Sequence, residues 1–391
     1  MRDGWIETTL DGIADVIMGQ SPDGKSYNQE GNGLPFMQGS AEFGEHNPVP
    51  EKWCSDPKKI AEAGDLLLSV RAPVGDTNFA DQRIAVGRGL SIIRANKESL
   101  TEFIRLVIQL NVAELIASSG SGMFASITGR NLKEFKINLP PLPEQKRIVD
   151  LISSVDSYID ALQQQLESAK RSRNAVLHVL LTAGGADWIE TTLSEVTQIN
   201  PEQAKDFDSE RLIKYVDLST VTFDNGIDSE IDPIPFNEAP GRARRIVREN
   251  DVIVATVRPY LKGFAFVNKY FNEQIASTGF CVIRAESKLI LPELVWALVG
   301  SDDFVDFLIR RSTGSSYPAV RPIDISEFNF MLPPFKDQET VSQLIRTFDQ
   351  LIKDSTNLIN STQNLRSGLL SDLLSGEHEI PASYDRVIGA A

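Results

Sequence analysis

The longest regular feature of the chain is a stripe of apolar side chains recurring three and four residues apart: Ile152, Val155, Ile159, Leu162, Leu166, Ala169, Val176 and Leu180, broken only by Arg173. That spacing is a heptad, and it predicts one long helix whose apolar seam needs a partner. A second stripe runs through Ile345, Phe348, Ile352, Ile359, Leu369 and Leu373, with Arg366 falling where Arg173 falls and Ser355 and Thr362 replacing Leu162 and Ala169. The second seam is the less apolar, so it needs the first. At ~1.5 Å per residue, roughly 38 residues make a rod about 57 Å long. Taken alone, such a pair of helices is a spacer.

What precedes each helix is written twice. Trp5-Ile6-Glu7-Thr8-Thr9-Leu10 recurs letter for letter as Trp188-Ile189-Glu190-Thr191-Thr192-Leu193. Gly64 to Pro73 has a looser echo in Asn250 to Pro259; both read as a turn and then a buried strand ending in an arginine, Arg71 or Arg258. Gly89 to Ala95 matches Gly279 to Ala285, a second such strand. Apolar helical stretches follow, Phe103 to Ile116 and Leu294 to Leu308, each leading into a Ser/Gly-rich loop. Each half closes alike, Phe135 to Gln145 pairing with Phe328 to Gln338, where two prolines end a strand and hand the chain to the long helix.

The expected fold class is therefore α+β, with two similar α/β domains separated by two long antiparallel coiled-coil helices in an internal pseudo-two-fold repeat. The expected boundaries are 1–143 for the first domain, 144–183 for the first helix, 184–335 for the second domain, 336–376 for the second helix and 377–391 for a tail. Two similar domains related by an approximate two-fold axis are how dimeric DNA-binding proteins set two readers on two half-sites.

Composition narrows the setting. No run of eighteen apolar residues offers a membrane span, and the N-terminus lacks the apolar core of a secretory signal, so a cytoplasmic protein with no membrane partner is expected. Cys54 and Cys281 have no metal-ligand spacing and read as reduced thiols. The net charge of −15 runs against affinity for a phosphate backbone. Yet roughly −12 of it falls in the two non-helical blocks, about −1 in the helices and about −2 in the tail. Charge acts over only about 8 Å at physiological salt, so a local basic surface is compatible with an acidic chain.

With those strings stands Met18-Gly19-Gln20-Ser21-Pro22, Tyr27-Asn28, Gly33-Leu34-Pro35-Phe36 and Gln38-Gly39, followed by Ser69-Val70-Arg71-Ala72-Pro73-Val74-Gly75 and Gly87-Arg88-Gly89. This set resembles one class of target-recognition domain in the specificity subunits of type I restriction-modification systems. The Leu-Pro-Pro-Leu-Pro-Glu-Gln-Lys-Arg-Ile run at 139–148 is similar to that family's entry into its spacer helices; the second copy departs from it, reading Leu-Pro-Pro-Phe-Lys-Asp-Gln-Glu-Thr-Val at 332–341. The resemblance covers nearly the whole chain. It implies that each domain reads one half of a bipartite, asymmetric site in double-stranded DNA. It also implies two methyltransferase (modification) subunits that carry S-adenosylmethionine and methylate adenine, and two restriction subunits that cut DNA with ATP. The chain itself is then no enzyme and holds no cofactor or metal.

The chain also carries strings that partly match enzyme motifs. Gly19-Gln20-Ser21-Pro22-Asp23-Gly24-Lys25-Ser26 satisfies the P-loop pattern, but Pro22 removes an N–H donor and Tyr27 to Pro35 does not continue as a helix. Leu139-Pro140-Pro141 and Leu332-Pro333-Pro334 lack the polar residue that grips a flipped adenine. Glu144-Gln145-Lys146 has no matching lysine in the second copy, and a helix start accounts for its acid. His46, His178 and His378 are scattered.

Reading DNA takes side chains at base edges and cations or amides at phosphates. The first domain offers Lys25, Tyr27, Gln38, Arg71, Arg88, Ser121, Gly122, Phe124 and Ser126; the second offers Arg242, Arg244, Arg245, Arg248, Arg258, Tyr260, Lys262, Ser316, Tyr317 and Arg321. For any one of them the plain alternative is a solvated surface position. Three other functions stay open at this point: a specificity module for a different DNA methylase or nuclease system, a scaffold that never touches nucleic acid, and an NTPase built on Gly19 to Ser26. Neighbouring genes, salt-sensitive DNA binding and nucleotide titration would separate them. The domains differ between their shared strings, which predicts unlike half-sites, and helix length is expected to set the gap between them.

Overall fold

The computed structural model describes residues 2, 4–117, 126–183, 185–205 and 207–385. It forms two compact units, Met1–Ala161 with Asn360–Ala391, and Leu162–Ile359. The long helices run Leu142–Thr182 and Phe335–Ser375, so each unit takes half of each helix instead of following the sequential boundaries expected above. The reason is direction: antiparallel packing lays the start of one helix beside the end of the other. The first helix also begins two residues earlier than expected, because Pro141 O accepts from Glu144 N and Gln145 N, and Pro143 sits in a first turn that needs no donor from it.

The two units repeat one topology. In the first, Ile6–Thr9 pairs antiparallel with Lys136–Leu139; in the second, Ile189–Thr192 pairs with Asn329–Leu332. The duplicated Trp-Ile-Glu-Thr-Thr-Leu string is thus the strand that braces the entry to each long helix. Beside it lies a four-stranded sheet in the order Ala14–Met18, Leu90–Ala95, Leu66–Ser69, Thr77–Phe79, matched in the second unit by Thr197–Ile199, Phe280–Ala285, Val252–Ala255, Phe264–Phe266. A second sheet runs Trp53–Cys54, Leu34–Met37, Ile84–Val86, Ile60–Ala61, with Tyr27–Asn28 added at its edge. Its counterpart is Pro233–Pro235, Leu212–Val216, Gln274–Ser277, Ala243–Val247. In both, the middle pair is parallel and the flanking pairs are antiparallel.

Burial explains the continuous apolar runs. Leu66 and Leu68 pack with Phe103, Ile104 and Ile108, whereas Leu67 faces Met37, Ile84 and Ile92. The strand is covered on both faces, so no polar alternation survives. Val252 and Val254 against Ile253 repeat this in the second unit. The helix after these strands differs between copies. Thr101–Ala117 is bent at Asn111, while the second copy breaks into Pro292–Val299 and Asp302–Arg311, because Gly300 ends one helix and the Ser301 side chain caps the next.

Three buried polar devices occur once per unit. The Asp65 carboxylate accepts Arg94 Nε at 2.9 Å and Nη2 at 2.6 Å, plus Glu62 N; Asp251 accepts Arg284 Nε at 2.7 Å and Nη2 at 2.8 Å, plus Arg248 N. Gln145, wholly buried, accepts from Leu100 N and donates to the carbonyls of Glu98 and Pro140, and buried Gln338 does the same with Leu291 N, Leu289 O and Pro333 O. Finally, Arg366 bonds Asp156 in the first unit and Arg173 bonds Asp349 in the second. Those ion pairs join the antiparallel helix halves at matching positions, and Arg173 is only 4 % exposed.

The helix seams follow the heptad with one displacement. Ile152, Ile159, Leu162, Leu166, Ile345, Ile359 and Leu373 are buried, and Val155, Phe348 and Ile352 are half-buried. Beyond the arginines the packing centre moves one residue along, to Leu177 and Leu181 in the first helix and Leu370 in the second. Val176, Leu180 and Leu369 flank it half-buried. An ideal helix drifts by ~20° per heptad against a strict seven-residue repeat, and the arginines drawn into the seam mark where it slips.

Candidate nucleic-acid interface

In the first unit three chain segments are knitted together by their backbones. Gly19 N donates to Leu90 O, Gln20 N to Val86 O, Gly87 N to Met37 O and Gly89 N to Gln38 O. The approach is so close that a Cβ on Gly19 would lie 2.1 Å from Gly87 O and one on Gly89 2.4 Å from Gln38 O. These glycines serve contact between chain segments. On this platform Ser21 Oγ donates to Gln38 Oε1 at 3.2 Å and accepts from Arg88 N at 3.4 Å, leaving the Gln38 Nε2 with no acceptor among the described residues.

Arg88 and Lys25 are exposed, and no described carboxylate pairs with either. Tyr27 is stacked on Phe36 at 4.8 Å, its hydroxyl bonded to Pro22 O, and burial pushes its pKa up. Arg71 is also exposed and free of carboxylates. Its backbone forms a bridge to Ser126, and Ile127 N donates to Val70 O at 3.0 Å. Ser121, Gly122 and Phe124 lie outside the described residues.

The P-loop pattern has a different use. Asp23 Oδ1 takes the Lys25 N–H, Ser26 is buried with its hydroxyl on Asp23 O, and the chain continues as the strand Tyr27–Asn28. The amides that would cradle phosphates are therefore partly spent on a carboxylate, and no helix opens at the lysine.

The second unit departs further from expectation. Arg242 donates to Tyr215 Oη at 3.0 Å and pairs with Asp217 at 2.8 Å. Arg248 grips Glu202 through Nε at 2.7 Å and Nη2 at 2.9 Å, and Glu202 also bonds Arg284. Lys262 pairs with Asp302 at 2.9 Å, and Arg321 with Asp324 at 2.8 Å. Four cations expected to face DNA are thus held by carboxylates. Those partners lie elsewhere on the fold or, for Asp324, within the capping box of a short helix. Of the basic cluster, Arg244 and Arg245 have no carboxylate partner among the described residues; Arg244 is exposed, and the half-buried Arg245 has an unbonded, buried Nε.

Arg258 likewise meets no described carboxylate. Its guanidinium lies 4.4 Å over the Tyr317 ring and donates to Ser316 O. Tyr260, Leu261 and Tyr317 are exposed around it. The hydrogen bond of Val320 N to Thr256 O matches that of Ile127 N to Val70 O, so Arg71 corresponds to Val257, and Arg258 stands one position later. The two strand-ending arginines are not equivalent. Ser21 and Leu261 belong to these surfaces without being among the candidate contacts; the first stands in the Met18–Pro22 string and in the P-loop pattern, and the exposure of the second has no local signal.

Burial pushes the Cys281 thiol up to about 12, and Cys54 is also buried and free. His178 bonds Asp303 at 2.9 Å, and the His378 carbonyl accepts from Arg2. Among the described residues no group of three or more His, Cys, Asp or Glu is placed to hold a metal ion, and no helix is long and apolar enough to cross a membrane.

Known proteins place this architecture. Residues 2–171 match the type I restriction modification DNA specificity domain. A Methanocaldococcus jannaschii protein named as the MjaX type I restriction enzyme specificity subunit is 40% identical over 168 residues, 43% of this chain and 40% of that one. The HindI specificity subunit of Haemophilus influenzae is likewise matched over 40% of its length, so the chain spans less than half of these relatives. The Escherichia coli EcoBI specificity subunit is 22% identical over 96% of this chain and 87% of its own. The crystal structure of a type I restriction-modification S subunit from M. genitalium shares the fold, with a TM-score of 0.56, 15% identity and coverage of 95% of this chain and 96% of that one. The matched profile ends inside the first long helix, and the second unit repeats the topology of the part it covers, except that it lacks the edge strand Tyr27–Asn28 and adds the pair Val221–Thr222 and Gly226–Ile227. Over residues 2–171 the chain matches the DNA specificity domain of type I restriction-modification systems, and over nearly its whole length it is similar to specificity subunits of that kind.

Proposed function

We propose that this chain reads DNA sequence for partner enzymes: each unit contacts one half of a bipartite, asymmetric site in duplex DNA. Two modification subunits then methylate adenine there, and two restriction subunits cut. The chain acts in the cytoplasm and has no catalytic centre of its own. The observation that carries this reading is a duplicated topology that presents unlike side chains at equivalent loops: Arg71 and Ala72 in one copy against Val257 and Arg258 in the other, and Arg88 against Thr278. Identical scaffolding with different loop chemistry suits one task performed on two sequences. Cations without carboxylate partners are the ones available to phosphates, so Lys25, Arg71, Arg88, Arg244 and Arg245 are assigned to the backbone or base contacts ahead of Arg242, Arg248, Lys262 and Arg321.

The test is DNA binding by the full chain with its modification subunit, measured as a function of salt. Neutralising a phosphate contact lowers the slope of log affinity against log salt by about one. Lys25→Ala, Arg71→Ala and Arg88→Ala are each expected to do so, while Arg130→Ala, whose exposed side chain is paired with Glu134, leaves the slope unchanged. Salt-independent behaviour of all four variants, or no DNA binding by the wild-type complex, would instead support an assembly scaffold.

A further inference from the structure

We infer that Arg258, braced by Tyr317, is the residue with which the second unit reads a guanine. The inference rests on the DNA-reading function proposed above. Arg258 adopts φ 50° and Lys262 φ 48°, left-handed backbone at both ends of the turn Pro259–Leu261. Side chains bearing a Cβ rarely tolerate that region, and such outliers collect at functional sites. The conformation is held from outside the turn, where Arg258 N donates to Pro318 O at 2.7 Å. The guanidinium lies 4.4 Å over the Tyr317 ring, with Nη2 on Ser316 O at 3.3 Å. Its Nε is shut off from solvent with no partner, a cost to the folded chain that no internal contact repays. That leaves the Nη1 and Nη2 edge of a fork fixed in orientation, with no described carboxylate on it.

The surroundings suit a base better than a phosphate. Tyr260, Leu261 and Tyr317 are 49 %, 64 % and 68 % exposed, an apolar and aromatic rim where a phosphate contact would favour further cations. A planar fork with two parallel donors matches O6 and N7 of guanine in the major groove. Lysine carries the same charge but cannot make that pair of bonds. The first unit has Ala72 at the corresponding position, so it reads its half-site with other groups.

Selection of bound duplexes from a random-sequence library, by the full chain with its modification subunit, tests this. Wild type is expected to select two half-sites, one containing a guanine. With Arg258→Lys, preference for that guanine falls by about 5- to 150-fold, while the other half-site stays as selected, which also shows that the chain is folded. Tyr317→Phe keeps the preference and Tyr317→Ala weakens it. If Arg258→Lys leaves both half-sites as they were, Arg258 is a phosphate contact and the inference is overturned. If the wild-type complex selects no sequence, the DNA-reading function itself fails.

Discussion

Asp251→Ala will destabilise the second unit by about 3 kcal/mol, because it strands a buried positive charge. Asp251 is 1 % exposed and receives two guanidinium bonds from Arg284 and one from Arg248 N. Removing it leaves Arg284 with Glu202 alone, and Glu202 is shared with Arg248. Asp65→Ala removes the equivalent carboxylate from the first unit, but Arg94 is more exposed than Arg284, so the loss there is smaller, about 2 kcal/mol. Urea unfolding of the full chain reads both. The same network carries a pH signature. Hydrogen bonds from Arg248 and then Arg284 hold the Glu202 carboxyl down at about 2. A carboxylate held below its unfolded value stabilises fully above that value and loses its contribution as pH falls toward the folded one. Between pH 4.5 and 2 wild type is therefore expected to lose stability that Glu202→Gln lacks from the start. Loss of less than ~1 kcal/mol for Asp251→Ala, or acid profiles that run parallel for wild type and Glu202→Gln, would show the network to be dispensable.

Gln145→Leu and Gln338→Leu are each expected to cost about 3 kcal/mol. A leucine fills nearly the same space, so packing is little changed. What disappears is the partner for one backbone N–H and two carbonyls, Leu100, Glu98 and Pro140 in the first copy and Leu291, Leu289 and Pro333 in the second. Those groups sit where the loop before an apolar helix meets the entry to a long helix; the proline carbonyl is buried and the other two groups are partly buried, so leaving them unpaired costs much of the penalty of desolvation. Equal effects in the two copies are expected, since the bonds are the same bond for bond. A loss in one copy only would mean that the two helix entries are held differently despite their shared geometry. Glutamine at this point was visible in the sequence as part of each Pro-Pro run, but was read only as a marker of a helix start.

That case illustrates what the sequence makes legible. Repeated strings disclosed repeated strands, because a strand covered on both faces must be apolar throughout and a brace strand must keep its register. Heptad spacing located both long helices and most of their seams. It misassigned the seam centre past Arg173, where Leu177 and Leu181 take the places given to Val176 and Leu180, because the helical period is not seven residues in two turns. The interface was less legible. A basic run such as Arg242 to Arg248 advertises charge, but not that Glu202 and Asp217 will neutralise part of it from distant segments. Conversely, aligning Gly64 to Pro73 with Asn250 to Pro259 already sets Arg258 one position beyond the counterpart of Arg71, but only the fold brings Tyr317 to it as a support. Ion pairing and stacking are decided by tertiary neighbours, and no local pattern reports them.

The most direct measurement of the central claim is a map of methylated adenine in the genome of cells that carry this chain with its modification subunits, compared with cells from which the chain alone is deleted. Two unlike short half-sites at a constant gap, methylated only when the chain is present, is the predicted result. A palindromic or uninterrupted motif, or methylation that persists unchanged without the chain, would contradict it.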